Sequence, residues 1–234
     1  PQIRTRVLWF PRRTAVDDVL PHTGGQTGGF TRQIRRTARY HAGRSEVRFL
    51  NQTVLSLFCV NPRRIGGVEV YAREMSAQLS AAGWNSALCF TAEPSPTVAE
   101  YLRLPNVSLH VLGNLEFNNT QVIAPFVRLI RKVRPSVLHL QFTPDLSLFP
   151  LLAKTCGVRR ALFTSQTSRA TPHAVPFSGI RRHVARMLMR PVDNVIAISD
   201  FVRQWYSEWG VIDASRVRRV YNAIDISRCS PAGA

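Results

Sequence analysis

The sequence predicts an α/β fold, a Rossmann-like parallel sheet with helices on both faces. Three observations carry this. Short β-rich apolar runs alternate with helix-like stretches from Thr53 to Asn222, the order expected of strand–helix–strand units. The strand-like runs are apolar along most of their length, as in strands covered on both faces. Glycine or proline stands at many of the junctions, where the chain has to turn.

The elements follow in order. "TVLSLFCV" (53–60) is a buried strand, and Pro62 with Gly66-Gly67 breaks the chain after it. Val68, Tyr71, Met75, Leu79 and Ala82 then recur at helical spacing as far as Gly83, a C-terminal cap. "SALCFTA" (86–92) is a strand, "TVAEYLRL" (97–104) a short helix and "VSLHVLG" (107–113) a strand. "APFVRLIRKVR" (124–134) is a helix, and "SVLHLQF" (136–142) and "ALFTSQ" (161–166) are strands separated by the apolar helix "LSLFPLLAKTCG" (146–157). A Ser/Thr/Pro-rich loop over 165–178 leads to the helix "GIRRHVARMLMR" (179–190). The strand "NVIAIS" (194–199), the helix "DFVRQWYSEWG" (200–210) and the strand "RVRRVYN" (216–222) complete the pattern. In such sheets ligands bind beyond the carboxyl ends of the strands, so residues at those ends carry the functional weight.

Composition narrows the classes. The 234 residues are 45% hydrophobic, enough for a sizeable core, and 31 Lys+Arg against 14 Asp+Glu give a net charge of +17. The excess is almost entirely arginine, a bias that coding alone produces, so it assigns no polyanion partner and nucleic acid is disfavoured. Cys59, Cys89, Cys156 and Cys229 form no metal-spaced pairs, so neither a zinc site nor a disulfide framework is expected and a reducing cytoplasm fits. No apolar run approaches the roughly 20 residues that span a bilayer, which leaves a peripheral membrane contact open. Residues 1–50, Arg-rich among Gly, Thr and His, are expected to be a basic, disordered tail.

The glycine pair Gly66-Gly67 has two readings. Glycine there lets a phosphate or sugar approach the main chain at a helix N-terminus; it equally suits a tight turn with close helix-to-sheet packing. Adjacent glycines are not G-x-G-x-x-G, and Glu93 alone is a candidate for the acidic residue of a dinucleotide fold, so a nicotinamide dehydrogenase is disfavoured. No nucleophile elbow, P-loop or H-E-x-x-H occurs, which removes support for hydrolase and NTPase readings. Two helices raise a surface question. Phe201, Trp205, Tyr206 and Trp209 form either a lipid-facing patch or a stripe packed on the sheet. Arg181, Arg182, Arg186 and Arg190 stand among Ile180, Val184, Met187 and Leu188, which describes either a basic membrane-surface helix or an ordinary surface helix with an Arg-rich outer face.

Three stretches in order carry a resemblance. "GGVEVYAREMSAQLSAAGW" resembles the glycine loop and first helix in the N-terminal domain of GT-B glycosyltransferases of the family 4 type. "RPSVLHLQF" resembles that family's mid-sheet strand. "VDNVIAISDFVRQWYSEWGVIDASRVRRVYNAIDISRCSP" resembles its passage into the interdomain hinge. The resemblance implies one half of a GT-B fold: residues 51–231 as the acceptor-side domain and 232–234 as the start of a hinge, with the donor domain absent. It implies transfer of a sugar, with retention, from a nucleotide-sugar donor to a carbohydrate or lipid-linked acceptor, with no cofactor and no metal. It also implies that this piece alone is inactive.

By the same resemblance Gly66 and Gly67 approach the donor's phosphates or sugar. Arg63 and Arg64 flank the loop, His139 and Gln141 stand on the acceptor side, and Asn222 lies at the hinge. Gln166 occupies the catalytic position of a family histidine, where an amide binds hydroxyls but carries no proton; His173 nearby is a substitute. A different class of reading remains, a non-catalytic Rossmann-like protein that binds nucleic acid or anionic lipid through its basic surface.

Overall fold

The computed structural model of the protein describes residues 52–113, 120–166 and 179–222. The basic segment 1–50, the loop carrying His173 and the hinge residues 232–234 lie outside them.

Every strand and helix expected from the sequence is present in these residues. The strands are β1 Thr53–Phe58, β2 Asn85–Phe90, β3 Val107–Val111, β4 Val137–Gln141, β5 Arg160–Ser165, β6 Asn194–Ala197 and β7 Val217–Arg219. The helices are α1 Gly67–Ala81, α2 Pro96–Tyr101, α3 Ile123–Val133, α4 Phe149–Thr155, α5 Gly179–Met189 and α6 Asp200–Trp209. All neighbouring strands pair in parallel, in the order β3-β2-β1-β4-β5-β6-β7. The chain winds outward from β1 through β2 and β3, then restarts at β4 on the other side of β1. That reversal opens a crevice at the carboxyl ends of β1 and β4.

Because strand side chains alternate between faces, β1 divides its residues between two cores. Phe58 joins Ala72, Leu88, Phe90, Val98 and Leu102 beneath α1 and α2, with the Phe58 and Phe90 rings stacked at 5.3 Å. Leu55 and Leu57 face the larger core of Leu138, Leu140, Phe163 and Val195, covered by Phe126 of α3, Phe149 of α4, Met189 of α5 and Tyr206 of α6. Of the aromatic stripe of α6, Trp205, Tyr206 and Trp209 therefore pack on the sheet, while Phe201 stays exposed. Tyr206 is fully buried, and its hydroxyl donates to Asp145 Oδ1 at 2.7 Å.

Helix α1 is turned from the face its apolar residues suggest. Glu69, Ala72, Ser76 and Leu79 are buried, whereas Val68, Tyr71 and Met75 are only partly so. Two polar residues occupy the inner face because each is satisfied there. Glu69 accepts the Gly66 amide at 2.9 Å, and Ser76 Oγ bonds the Ala72 carbonyl at 2.7 Å and Ser86 Oγ at 2.8 Å. At the other end Gly83, with φ 76°, closes the helix: its amide bonds the Ser80 carbonyl and that of Trp84 bonds Leu79, a Schellman arrangement for which glycine has no steric penalty.

A carboxylate ties the far side of the sheet. Asp193 accepts from Lys154 Nζ and the Ala161 amide, both at 2.7 Å, and from Arg160 Nη1 at 3.0 Å. Burial opposes its ionisation, yet these partners hold its carboxyl below the usual value. Asp193→Ala is expected to lower stability by about 1–3 kcal/mol in urea unfolding, since it strands the Ala161 amide and removes the carboxylate that Lys154 and Arg160 share.

Candidate functional site

The crevice at the switch point gathers the described residues singled out for the site in the sequence, except Asn222. The β1–β4 pairing continues past Phe58, where the Cys59 amide donates to the Gln141 carbonyl at 3.1 Å. The loop from Cys59 to Gly66 is pinned to the second strand's exit by the Thr91 hydroxyl on the Val60 carbonyl, at 2.8 Å. Its tip carries Arg63 and Arg64, both exposed. Fixed cations thus stand in solvent at the mouth of the crevice.

Neither Gly66 nor Gly67 has a positive φ; Gly66 is extended, with φ −138°. A tight turn therefore does not require them. A Cβ added at Gly66 meets only Glu69 Oε2 at 3.4 Å, and one added at Gly67 meets nothing within 4 Å. Close helix-to-sheet packing is not the reason for glycine at 67 either. The amide of Gly66, at the N-cap of α1, is already taken by the Glu69 carboxylate.

Below the glycines runs a chain of neutral polar groups. His139 and Gln141 lie two residues apart on β4, so they share a face of the sheet. Thr164 and Gln141 are paired residues of β4 and β5 and join them there. His139 Nε2 lies 2.7 Å from Thr164 Oγ1, and His139 Nδ1 lies 3.5 Å from Gln141 Nε2. Gln141 Oε1 in turn accepts from Gln166 Nε2 at 2.8 Å. Since the Gln141 oxygen is occupied by Gln166, its nitrogen faces the imidazole; Nδ1 is then the acceptor and the ring proton sits on Nε2, toward Thr164. Tyr71 of α1 shares a side-chain hydrogen bond with Gln141. Tyr71 follows Gly67 by four residues, so the two lie one turn apart on the same side of the helix.

Burial decides the chemistry of this chain. His139 is fully enclosed, and its pKa falls to about 4, which leaves it neutral at physiological pH. Burial also pushes the Tyr71 phenol up, against the opposing effect of its bond to Gln141. Glutamines carry no proton to give. The assembly can therefore orient hydroxyl groups and hold a fixed pattern of donors and acceptors, but near pH 7 it carries no charge and its imidazole is only a weak base.

Tyr71 and Thr164 were not singled out by sequence reasoning as site residues. Tyr71 counted as an apolar helix position and Thr164 as a strand residue, and the signal available was the polar handle each carries at a strand or helix end facing the crevice. Asn222 is the exception to the gathering. It is exposed just past β7, three strands from β4, or roughly 14 Å at the spacing of strands in a sheet. Beside it, Arg219 and the Tyr221 hydroxyl bond the Asp200 carboxylate. Among the described residues no group of three or more His, Cys, Asp or Glu is clustered so as to hold a metal, and no helix is long and apolar enough to cross a membrane.

The comparisons agree with this fold. A glycosyltransferase from Rickettsia africae is similar in structure, with a TM-score of 0.58 at 20% identity over 77% of this chain and 45% of that one. HepE from Anabaena, solved in complex with UDP, is similar with a TM-score of 0.51 at 17% identity over 75% of this chain and 45% of that one. At these identities the likeness is one of fold: a Rossmann-like α/β domain of the kind found in GT-B glycosyltransferases. The chain spans less than half the length of either structure. No curated protein matches it by sequence. The model of the family described as Glycosyltransferase Family 4 matches residues 65–228, a stretch that contains the glycine pair, the polar chain and every helix and all but the first strand of the sheet. On that match, which covers well over half of its length, the chain belongs to Glycosyltransferase Family 4.

Proposed function

We propose that this chain is the acceptor-side half of a retaining glycosyltransferase that moves a sugar from a nucleotide-sugar donor to a carbohydrate or lipid-linked acceptor in the cytoplasm. The observation that carries the reading is the family match over residues 65–228, which coincides with a polar chain at the sheet's switch point. In the reaction the bond from the anomeric carbon to the donor's diphosphate breaks, and a bond to an acceptor oxygen forms on the same face of the sugar. The electron pair leaves with the diphosphate, whose departing oxygen takes up the acceptor hydroxyl proton.

The residues divide the work. Gly67 leaves room for the donor's sugar or phosphate to approach α1, with Gly66 beside it. Gln166 and Tyr71 form the floor that orients hydroxyl groups, and Gln141, buried beneath them and held in turn by His139, positions both. Arg63 and Arg64 offer fixed positive charge to an anionic acceptor or to the leaving diphosphate. Gln166, in the position of a family histidine, acts by hydrogen bonding alone. Charge stabilisation beyond the two arginines belongs to the donor half, across a closed cleft, so the 234 residues by themselves are proposed to be inactive. Asn222 is assigned to the hinge.

The test uses the protein at the full length its gene encodes. It measures nucleoside diphosphate release from UDP-, GDP- and ADP-hexoses with carbohydrate and lipid-linked acceptors, and the anomeric configuration of the product by NMR. Release with a retained configuration is expected; no release with any pairing overturns the reading, and inversion overturns its stereochemistry. A sharper test is Gly67→Ala. The added methyl meets nothing in the domain and Ala is the better helix former, so stability should hold or rise by up to about 1 kcal/mol. Transfer should nevertheless fall at least tenfold. Unchanged transfer would remove Gly67 from the site.

A further inference from the structure

Helix α5 carries two apolar stripes, and the core accounts for one. Ala185, Leu188 and Met189 point inward and are buried. Ile180, Val184 and Met187, spaced at i, i+4 and i+7, point outward and are 81%, 49% and 64% exposed. A helix docked on a domain by one face carries polar residues on the other. Of the four apolar residues that flank the arginines in the sequence, only Leu188 is used by the fold.

The surroundings of the outer stripe are settled by contacts. On one flank Arg186 Nε donates to the Gly210 carbonyl at 3.1 Å, and Arg182 reaches the same residue at the end of α6. The opposite flank faces α4, the helix on α5's other side, where Leu148 and Leu151 are exposed. Between Gly179 and Arg190 stand Arg181, Arg182, Arg186 and Arg190 and no Asp or Glu. On α5 the exposed apolar side chains are flanked by cations and by no acid of the same helix, a pattern complementary to an anionic lipid bilayer, whose headgroups take the charge and whose acyl boundary takes the apolar groups. The stripe runs about 10 Å down the flank of the domain, from the rise per residue of a helix. It thus descends away from the carboxyl edge of the sheet, where a second Rossmann-like half would close.

We propose that the outer face of α5, with Leu148 and Leu151 beside it, is the surface by which this protein lies on anionic membranes. Ile180, Val184 and Met187 enter the headgroup–acyl boundary while Arg181 and Arg190 engage lipid phosphates. The inference stands apart from the transferase reading, since binding to vesicles needs neither donor nor acceptor.

The experiment attaches an environment-sensitive fluorophore to the intact chain through Met187→Cys, with Ser80→Cys on exposed α1 as the control position and the unsubstituted chain to subtract labelling of native cysteines. Vesicles of phosphatidylcholine alone and of phosphatidylcholine with phosphatidylglycerol are then added. A blue shift with a severalfold rise in emission is expected at position 187, only with phosphatidylglycerol, and none at position 80. The combined variant Ile180→Ser, Val184→Ser, Met187→Ser should lose at least tenfold in vesicle affinity with its urea midpoint unchanged, because none of the three is in the core. The Arg-rich residues 1–50 offer a rival attachment. If they hold the chain on the vesicles, binding persists in the triple variant, the label at 187 stays in water and the proposal is overturned. A second copy of the chain on this face would give a concentration-dependent shift without lipid and a dimer in sedimentation that the triple variant loses; that result overturns it too.

Discussion

Replacing Gln141 with leucine is expected to cost the domain roughly 3–5 kcal/mol, more than its size alone suggests. Gln141 is fully buried and serves three partners: its oxygen takes Gln166 Nε2, its nitrogen faces His139 Nδ1, and its amide shares a bond with Tyr71. Leucine fills similar volume but strands a buried imidazole nitrogen and a largely buried phenol, and each such group costs about 1–3 kcal/mol when left unpaired. Gln166 is partly exposed and recovers water, so it adds little. Urea unfolding of the single variants and of the pair His139→Leu, Gln141→Leu forms a double-mutant cycle. The pair should cost clearly less than the sum of the singles, because removing both ends of the His139–Gln141 contact removes the penalty that each single variant incurs there, while Tyr71 and Thr164 lose the same partners in either case. Strict additivity would mean that the 3.5 Å contact carries no coupling and that the chain is two separate pairs.

The second large effect is on stability against pH. An unfolded histidine titrates near 6.5, and burial holds His139 down to about 4 in the folded protein. Between those values the unfolded state binds a proton that the native state refuses, so stability falls as pH drops from about 6.5 toward 4. Above the unfolded value the group contributes no pH dependence. The loss amounts to about 2 kcal/mol by pH 5 and about 3 kcal/mol in all. His139→Gln keeps a polar side chain on β4 without the titration. The difference in unfolding free energy between wild type and variant, measured from about pH 7 to pH 5, should therefore shrink with falling pH; parallel curves would show that His139 is not buried as a neutral ring.

The polar chain explains why the site was only partly legible in the sequence. His139, Gln141 and Gln166 stood out because a family resemblance marked their positions at strand ends. Tyr71 did not, since a tyrosine at helical spacing reads as core, and Thr164 did not, since threonine is an ordinary strand residue. What joins the five is the pairing of β4 with β5 and the packing of α1 over them, relations between segments far apart in the chain.

What the sequence by itself determined is the list of elements and their class. Runs such as "TVLSLF" and "VLHLQ" are apolar along nearly their whole length, which only a strand covered on both faces tolerates, and Gly83 marks the end of α1 because a left-handed residue is needed there. Local chemistry sufficed for these. The tertiary structure decided which side of each element faces inward. Apolar count favoured Val68, Tyr71 and Met75 as the inner face of α1, yet Glu69 and Ser76 are the buried ones, because hydrogen bonds to Gly66 and Ser86 remove the cost of placing them there. On α5 the arginines and the apolar residues interleave, and no periodicity tells an inward stripe from an outward one. Only docking against the core, through Ala185, Leu188 and Met189, left Ile180, Val184 and Met187 in water. The physical reason is the same in both helices: burial is a property of contacts between segments, and a residue's own hydrophobicity biases those contacts without choosing among them.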